Sequence, residues 1–289
     1  MSARAALIRA APGPPDCTRP VIPRTNAYAE PVPSATGLTA IVTVGDEILS
    51  GHTQDTNSSF LARLAFAAGR PVAHIEVVAD QPAAIIAAIR RAVDDPEISR
   101  IAVCGGIGPT PDDRTFQAVG DALGLPLELN PIAYANIEAM AQRMHAAGWI
   151  ENPVVSEANR RCAIVPVGAT VLINRRGMAP PLAIDIGQDR YLFVLPGIPR
   201  EFVTIVEEEL IPGYFGGGRA PVVREVTYRS VPESEMSEPM LTLQAEFPDV
   251  TVGSYPQVEQ RRLIIRLRGR ETARVDAAVA RLRSMRSDG

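Results

Sequence analysis

Two glycine- and acid-rich stretches and one isolated acid carry the residues best able to handle phosphate or metal. The first stretch is Gly105-Gly-Ile-Gly-Pro-Thr-Pro-Asp-Asp113. Gly105, Gly106 and Gly108 permit positive φ and close backbone approach, so main-chain N–H groups there can cradle phosphate ahead of a helix. Asp112 and Asp113 would repel a bare phosphate from the same place. A divalent cation removes the conflict, because it takes carboxylate and phosphate oxygens together. The same two acids could instead merely cap the following helix. The second stretch is Gly45-Asp-Glu-Ile-Leu-Ser-Gly51, continuing to Asp55-Thr-Asn57, with Asp46 and Glu47 as further metal candidates and Ser50 and Gly51 as phosphate candidates. Asp80 stands alone after the apolar run at 72–78.

These residues are useful together only if the fold gathers them. Apolar runs at 40–44, 72–78 and 100–104 read as strands. Helical spacing follows each: Leu61, Leu64, Ala65 and Ala68; Ile85, Ile86, Ile89 and Val93; then about 114–123. Asp55 or Asn57 should cap the first of these helices and Asp80 the second. Strands alternating with amphipathic helices imply right-handed βαβ units and an α/β, mostly parallel sheet covered on both faces. Ligands of such sheets sit outside the carboxyl ends of the strands. Asp46, Glu47, Asp55, Asp80, Asp112 and Asp113 therefore fall on one rim. Further along, a helix runs from Asn130-Pro131 to Ala147. Strands follow at 170–173, 182–186 and 191–195, then a helix over 199–210. After Gly216-Gly-Gly218 comes a small α+β unit: strand 222–229, helix 234–246, strands 250–255 and 261–268, and helix 271–285. The domains are read as an extension over 1–37, an α/β domain over 38–215 and the small unit over 219–289.

Bulk properties narrow the classes. The chain has 289 residues, 46% hydrophobic and 21% charged, with a net charge of −4, which suits a folded protein and not a general nucleic-acid surface. No apolar run is long enough to span a bilayer. Lysine is absent, which excludes a Walker-type phosphate lysine and Schiff-base chemistry. Cys17, Cys104 and Cys162 are far apart and lack CxxC spacing, so a reduced, cytoplasmic protein is expected. The proline-rich 1–37 segment reads as a disordered extension, not a working signal.

The motifs also carry a resemblance. Val44-Gly-Asp-Glu-Ile-Leu-Ser-Gly51, Asp55-Thr-Asn57 and Gly105–Asp113 are similar to the molybdopterin-binding fold of the competence-damage-inducible protein A family. The likeness continues through Glu157-Ala-Asn-Arg160, Pro166-x-Gly-Ala169, Asn174-x-x-Gly177, Ala179-Pro180, Leu195-Pro-Gly-Ile-Pro-Arg-Glu201 and Gly253-Ser-Tyr-Pro256. The resemblance implies a three-layer α/β/α domain with a pterin- or nucleotide-binding rim. Asp80 and Asp113 match the family's important acids, Gly105–Thr110, including Pro109, its phosphate loop, and Pro196-Gly197 a second ligand-facing turn. The implied activity is metal-dependent hydrolysis of a nucleotide pyrophosphate such as ADP-ribose, with Mg, Mn or Co. The alternatives are molybdopterin binding or adenylyl transfer in molybdenum-cofactor assembly, or a non-catalytic pterin-binding module. A homo-oligomer with a small-molecule ligand, and neither nucleic acid nor membrane as partner, is expected. Pro181 replaces a family glycine, and a lysine common beside Glu157–Arg160 is missing. The nicotinamide-nucleotide deamidase domain of longer members has no counterpart in this sequence, so deamidation is not expected.

Remaining residues read more plainly. His52 is a loop histidine, and Cys104 fills a small site at a strand end. Arg160 and Arg161 suit either phosphate or a solvated helix edge. Arg261, Arg262, Arg266 and Arg268 alternate along one strand. The family's small domain is similar to a KH module, but no GXXG lies between helices here, so these arginines read as a solvated sheet face.

Overall fold

The computed structural model describes residues 37–286, all within one compact unit of the chain. The extension expected over 1–37 lies outside the described residues except for its last member. Gly37 is buried against Ser99, so close that a Cβ would stand 1.9 Å from the Ser99 hydroxyl oxygen. Gly37, assigned to the extension from the sequence, is thus part of the packed domain.

In chain order the larger half contains β1 (Leu38–Val44), α1 (Asp46–Leu49), α2 (Asn57–Ala67), β2 (Val72–Val78), α3 (Pro82–Asp94), β3 (Ile98–Cys104) and α4 (Thr115–Leu123). It continues with β4 (Leu127–Leu129), α5 (Pro131–Ala146), α6 (Glu157–Arg161), β5 (Ile164–Pro166), β6 (Thr170–Val171), β7 (Leu182–Gly187), β8 (Arg190–Leu195), α7 (Pro199–Ile205) and α8 (Ile211–Tyr214). The main sheet has the order β2-β1-β3-β8-β7-β6. β1 and β3 are mostly apolar and buried because helices cover both of their faces; every residue of β3 is buried, Ser99 and Arg100 at its start included. Leu61 and Ala65 of α2 join Phe202 and Ile205 of α7 in one core layer. Ile85 and Ile89 of α3 join Phe116 and Val119 of α4 in the opposite one. The chain thus leaves β1 toward one face and β2 toward the other. That reversal opens a crevice at the carboxyl ends of β1 and β3.

β2, β1, β3 and β8 are joined by parallel ladders; β7 runs against them, pairing antiparallel with β8 on one side and with β6 on the other. The hairpin joining β7 to β8 turns on Gln188 and Asp189, both left-handed at φ 58° and 54°. That is the two-residue geometry usually built from Asn-Gly, which is why the alternation alone does not reveal it. The β4–β5 ladder and α6 are not expected either; both are too short to leave a period. The helix expected over 199–210 extends to Tyr214 through a wider π turn at Val206–Leu210. Pro212 there has no N–H to donate back. Asp80 does not cap α3, whose N-cap is Gln81 without a side-chain bond. Asp55 does serve α2, its carboxylate accepting the Ser58 amide at 2.9 Å.

The smaller half contains β9 (Val222–Arg229), a 3-10 turn (Glu233–Met236), α9 (Ser237–Glu246), β10 (Thr251–Gln257), β11 (Arg262–Gly269) and α10 (Thr272–Met285). Its antiparallel sheet, β10-β11-β9, and its two helices enclose a separate core of Tyr228, Leu243, Ile265 and Leu282. The helix expected over 234–246 is split into the 3-10 turn and α9. Pro239 falls in the first turn of α9, where a missing N–H breaks no helical bond. Arg266 pairs with Glu225 at 2.7 Å and lies over the Tyr255 ring, as suits a solvated sheet face. No helix among the described residues is long and apolar enough to cross a membrane.

Under the sheet's amino ends, buried Arg70 and Arg100 share one carboxylate, that of half-exposed Asp189. Burial, and Arg70 beside it, push the Arg100 guanidinium below its usual range. The two arginines also hold the Tyr214 and Gly216 carbonyls that lead into the smaller half. Asp189→Asn keeps the left-handed turn but removes the shared charge. It should destabilise the protein by about 1–3 kcal/mol in urea unfolding, less than a fully buried pair because Asp189 is solvated. An unchanged midpoint would show that the carbonyls alone suffice.

Candidate functional site

The site is built around the turn that follows β3. Gly105 and Gly106 take φ of 105° and 67°. A Cβ on Gly105 would stand 2.3 Å from the Val44 carbonyl oxygen at the end of β1, and one on Gly106 would stand 2.4 Å from Thr115 Oγ1. Thr115 fixes the turn from the first residue of α4. Its hydroxyl donates to the Gly105 carbonyl at 2.7 Å, and its amide to the Gly106 carbonyl at 3.0 Å. Gly108 departs from the expectation: its φ is not positive. It is small because the Asp113 carboxylate lies there, 2.7 Å from where a Cβ would be.

Asp113 turns back onto its own loop. One carboxylate oxygen accepts from the Thr110 amide at 2.8 Å and from the Thr110 hydroxyl at 2.6 Å. It does not cap α4, whose N-cap is Arg114. Thr110 is expected to face phosphate, but both of its donors go to Asp113. Thr110 faces a smaller cavity of about 410 Å³ behind the loop, shared with Cys162 and Arg161.

In front of the loop lies the main cavity, about 1120 Å³. Of the residues singled out in the sequence, Glu47, Asp80, Gly105, Gly106, Gly108, Pro109, Asp112, Asp113, Pro196 and Gly197 line it. Pro196-Gly197 arrives because β8 ends beside β3, and Asn57 Nδ2 holds the Gly197 carbonyl at 2.9 Å. Asp46, Ser50 and Gly51 do not line it. Asp46 still serves the site, since its amide donates to Asp80 at 2.8 Å. Ser50 and Gly51 sit at the far, exposed end of the four-residue α1, where Ser50 meets the His52 ring.

Asp80 is the electrostatic centre of the rim. Burial raises its pKa, and the charges of Asp46, Glu47 and Asp112 add to the rise, against the Asp46 amide that lowers it. Among the described residues no three His, Cys, Asp or Glu side chains converge as a ready metal cage. The donor set suits a hard cation held by one or two carboxylates, with water and phosphate oxygens completing the shell. It does not suit a zinc-type closed site.

The far wall of the cavity carries residues to which the sequence pattern assigns no role. Glu201 is buried and accepts from Asn174 Nδ2 at 2.7 Å. The Asn174 side-chain oxygen takes the amides of Arg176 and Gly177. This clamp presents Arg175, Arg176 and Met178 to the cavity, with Arg200 beside them and Arg143, Met144 and Trp149 at the end of α5. The available signal is that Asn174 and Glu201 both fall in the motifs quoted above, which mark the two segments but not their contact. Arg160 pairs with Glu157 and Arg161 touches the Pro109 carbonyl from behind the loop. Cys104 is buried, which drives its thiol pKa far upward and leaves it a packing residue.

Comparison with known proteins agrees with the fold. Residues 40–214 match the family described as "Probable molybdopterin binding domain", and residues 221–289 match the middle domain of FAD synthase. The chain is 34% identical over 218 residues to Protein TK1472 of Thermococcus kodakarensis, covering 75% of this chain and 84% of that protein. It is 31% identical to a CinA-like protein of Chlorobium chlorochromatii, covering 82% of this chain but only 55% of that longer protein. The crystal structure of CinA, of unknown function, from Thermoplasma acidophilum superposes with a TM-score of 0.54 at 26% identity, over 62% of this chain and 98% of that one. With the family match spanning most of the chain and the α/β/α rim in place, the protein belongs to the molybdopterin-binding domain family, as one of its CinA-like members.

Proposed function

We propose that the main cavity binds a phosphorylated pterin or nucleotide, with a phosphate seated against the Gly105-Gly106 turn. The observation that carries this reading is the turn itself. Two left-handed glycines are locked by Thr115 at the point where the sheet's crossovers reverse, and they face a cavity large enough for a dinucleotide. Gly106→Ala should abolish phosphate-ligand binding by calorimetry, because the new Cβ must displace the Thr115 hydroxyl and with it the turn. Thr115→Ser keeps that hydroxyl and should bind normally. Loss of binding in neither variant would remove the turn from the site.

A second reading on the same rim is hydrolysis of a nucleotide pyrophosphate, or the related adenylyl transfer. It is favoured by Asp80, a carboxyl with three other acids acting on it. Asp80 and Asp112 are the residues that would hold a divalent cation. The bound cation would supply positive charge to a phosphoanhydride oxygen. The glycine-turn amides would stabilise charge developing on the phosphate, and the Thr110 bonds would keep Asp113 from closing over them. A screen of ADP-ribose, FAD and NAD with Mg²⁺, Mn²⁺ or Co²⁺ tests this directly. Asp80→Asn should lower turnover by roughly 10² or more, as for a lost ligand worth several kcal/mol. Full turnover by that variant in the presence of a chelator would overturn the cation role of Asp80, and no turnover of any of the three substrates would leave binding without hydrolysis.

Asp80 also makes a pH-dependent prediction. Its folded-state pKa is raised, so its contribution to stability is present in acid and is lost as pH rises through the folded value. Near neutrality the ionised group therefore opposes folding. Asp80→Asn should raise Tm near neutral pH, and the gain should vanish in acid. Millimolar Mg²⁺ should raise the Tm of the wild type and leave the variant unmoved. A variant less stable than wild type at neutral pH would show the Asp46 amide bond to outweigh the repulsion.

A further inference from the structure

Trp149 is the chain's single tryptophan, lines the main cavity and is 68% exposed. Its placement is imposed by the backbone. α5 ends in a Schellman turn: the Trp149 amide donates to the Met144 carbonyl and the Gly148 amide to the His145 carbonyl, both at 2.9 Å, with Gly148 left-handed at φ 73°. His145 Nδ1 lies 3.1 Å from the Ile150 carbonyl and ties down the next residue. The indole is thus carried on a fixed turn beside Met144, yet most of its surface is left uncovered. A large aromatic held in this way at a cavity wall is a platform for a flat partner.

The charges around it say what kind of partner. Arg143, Arg176 and Arg200 line the same cavity and form no ion pair among the described residues, whereas Arg175 is paired with Glu208 and Glu209. The cavity is therefore acidic at the Asp80 rim and cationic at its outer wall. An apolar peptide or lipid chain would leave those guanidiniums facing it uncompensated. A planar heterocycle carrying a negative group satisfies both the indole and the arginines.

We infer that Trp149 is the stacking residue for the heterocycle of a nucleotide-type ligand, with the outer arginines screening its anionic part. This rests on the phosphate-binding reading above and names the end of the ligand that reading leaves open. It assigns discrimination between ligands with and without a ring to Trp149, and phosphate capture to the glycine turn.

The single tryptophan reports on itself. The full-length protein is titrated with AMP and with ribose 5-phosphate, following indole fluorescence and calorimetric heat in parallel. AMP should quench the fluorescence saturably. Ribose 5-phosphate should bind by heat and leave the fluorescence nearly unchanged. Trp149→Ala should weaken AMP about 10-fold or more and leave ribose 5-phosphate as it was, and Trp149→Phe should recover most of the loss. Because the side chain is largely exposed, neither variant threatens folding. Equal AMP affinity for wild type and Trp149→Ala, with heat still seen, overturns the stacking assignment and leaves the phosphate site standing. No heat with either ligand overturns both readings. A fluorescence change that follows protein concentration and not AMP also overturns the assignment, since it places Trp149 in a contact between copies.

Discussion

A carbonyl oxygen, that of Val44, stands where any side chain at position 105 would have to be. β1 and β3 are neighbours in register up to Thr43 and Cys104, and the chain leaving β3 must cross the end of β1 within that distance. Glycine is the only residue that permits it, and the crossing sets the left-handed path through Gly105 and Gly106. Thr115 then has no choice of partner. Its hydroxyl and amide meet the two carbonyls the turn exposes, and α4 starts there. The position of the helix, the opening of the cavity and the approach of Pro196-Gly197 from β8 all follow from one close passage between strands.

The uneven distribution of charge along the cavity follows from the same layout. Acids gather on the rim because α1, the short segment after β2 and the loop after β3 leave the same edge of the sheet. Arginines gather opposite because the Asn174–Glu201 clamp and the end of α5 form the other wall. Neither group neutralises the other in the structure; Glu47, Asp80 and Asp112 make no ion pair with Arg143, Arg176 or Arg200 among the described residues. Unpaired charge of both signs in one cleft opposes folding, and on the proposed reading it would be relieved by a ligand that carries phosphate with a cation at one end and an anionic or aromatic body at the other.

The parallel core is legible in the sequence because β1, β2 and β3 are apolar runs separated by helices with clear periodicity, and Gly-rich loops mark their ends. The antiparallel half is concealed for equally physical reasons. Gln188-Asp189 adopts a left-handed hairpin turn that those residue types rarely announce, and β6 is two residues long. Asp80, Asp112 and the glycine turn can be read in advance because chain order places them on one rim. Trp149 and Glu201 cannot. Trp149 has the surroundings of an ordinary loop residue until the Schellman turn directs it. Glu201 has those of a surface helix acid, and only the fold brings Asn174 within reach of it. Ser50 and Gly51 draw attention through their motif, yet α1 carries them away from the cavity.

The geometry also moves the chemical weight from Asp113 to Asp80. In the sequence Asp113 is the acid best placed to hold a cation, since it stands where a helix begins. In the fold, one of its oxygens is committed to the amide and hydroxyl of Thr110, at 2.8 and 2.6 Å. Those bonds hold the loop shut on itself and explain Gly108, whose missing side chain makes room for the carboxylate. Asp113 is thus a brace for the loop before it is a ligand. Among the described residues Asp80 has a single amide donor, from Asp46, and is surrounded by like charge. A carboxylate in that position gains more from an arriving cation than one already satisfied by hydrogen bonds, because the cation removes a repulsion as well as forming a bond. The same reasoning separates the two acids in experiment: losing Asp113 should disturb the loop before it disturbs a cation, while losing Asp80 should leave the loop intact and remove the reason for a cation to be there.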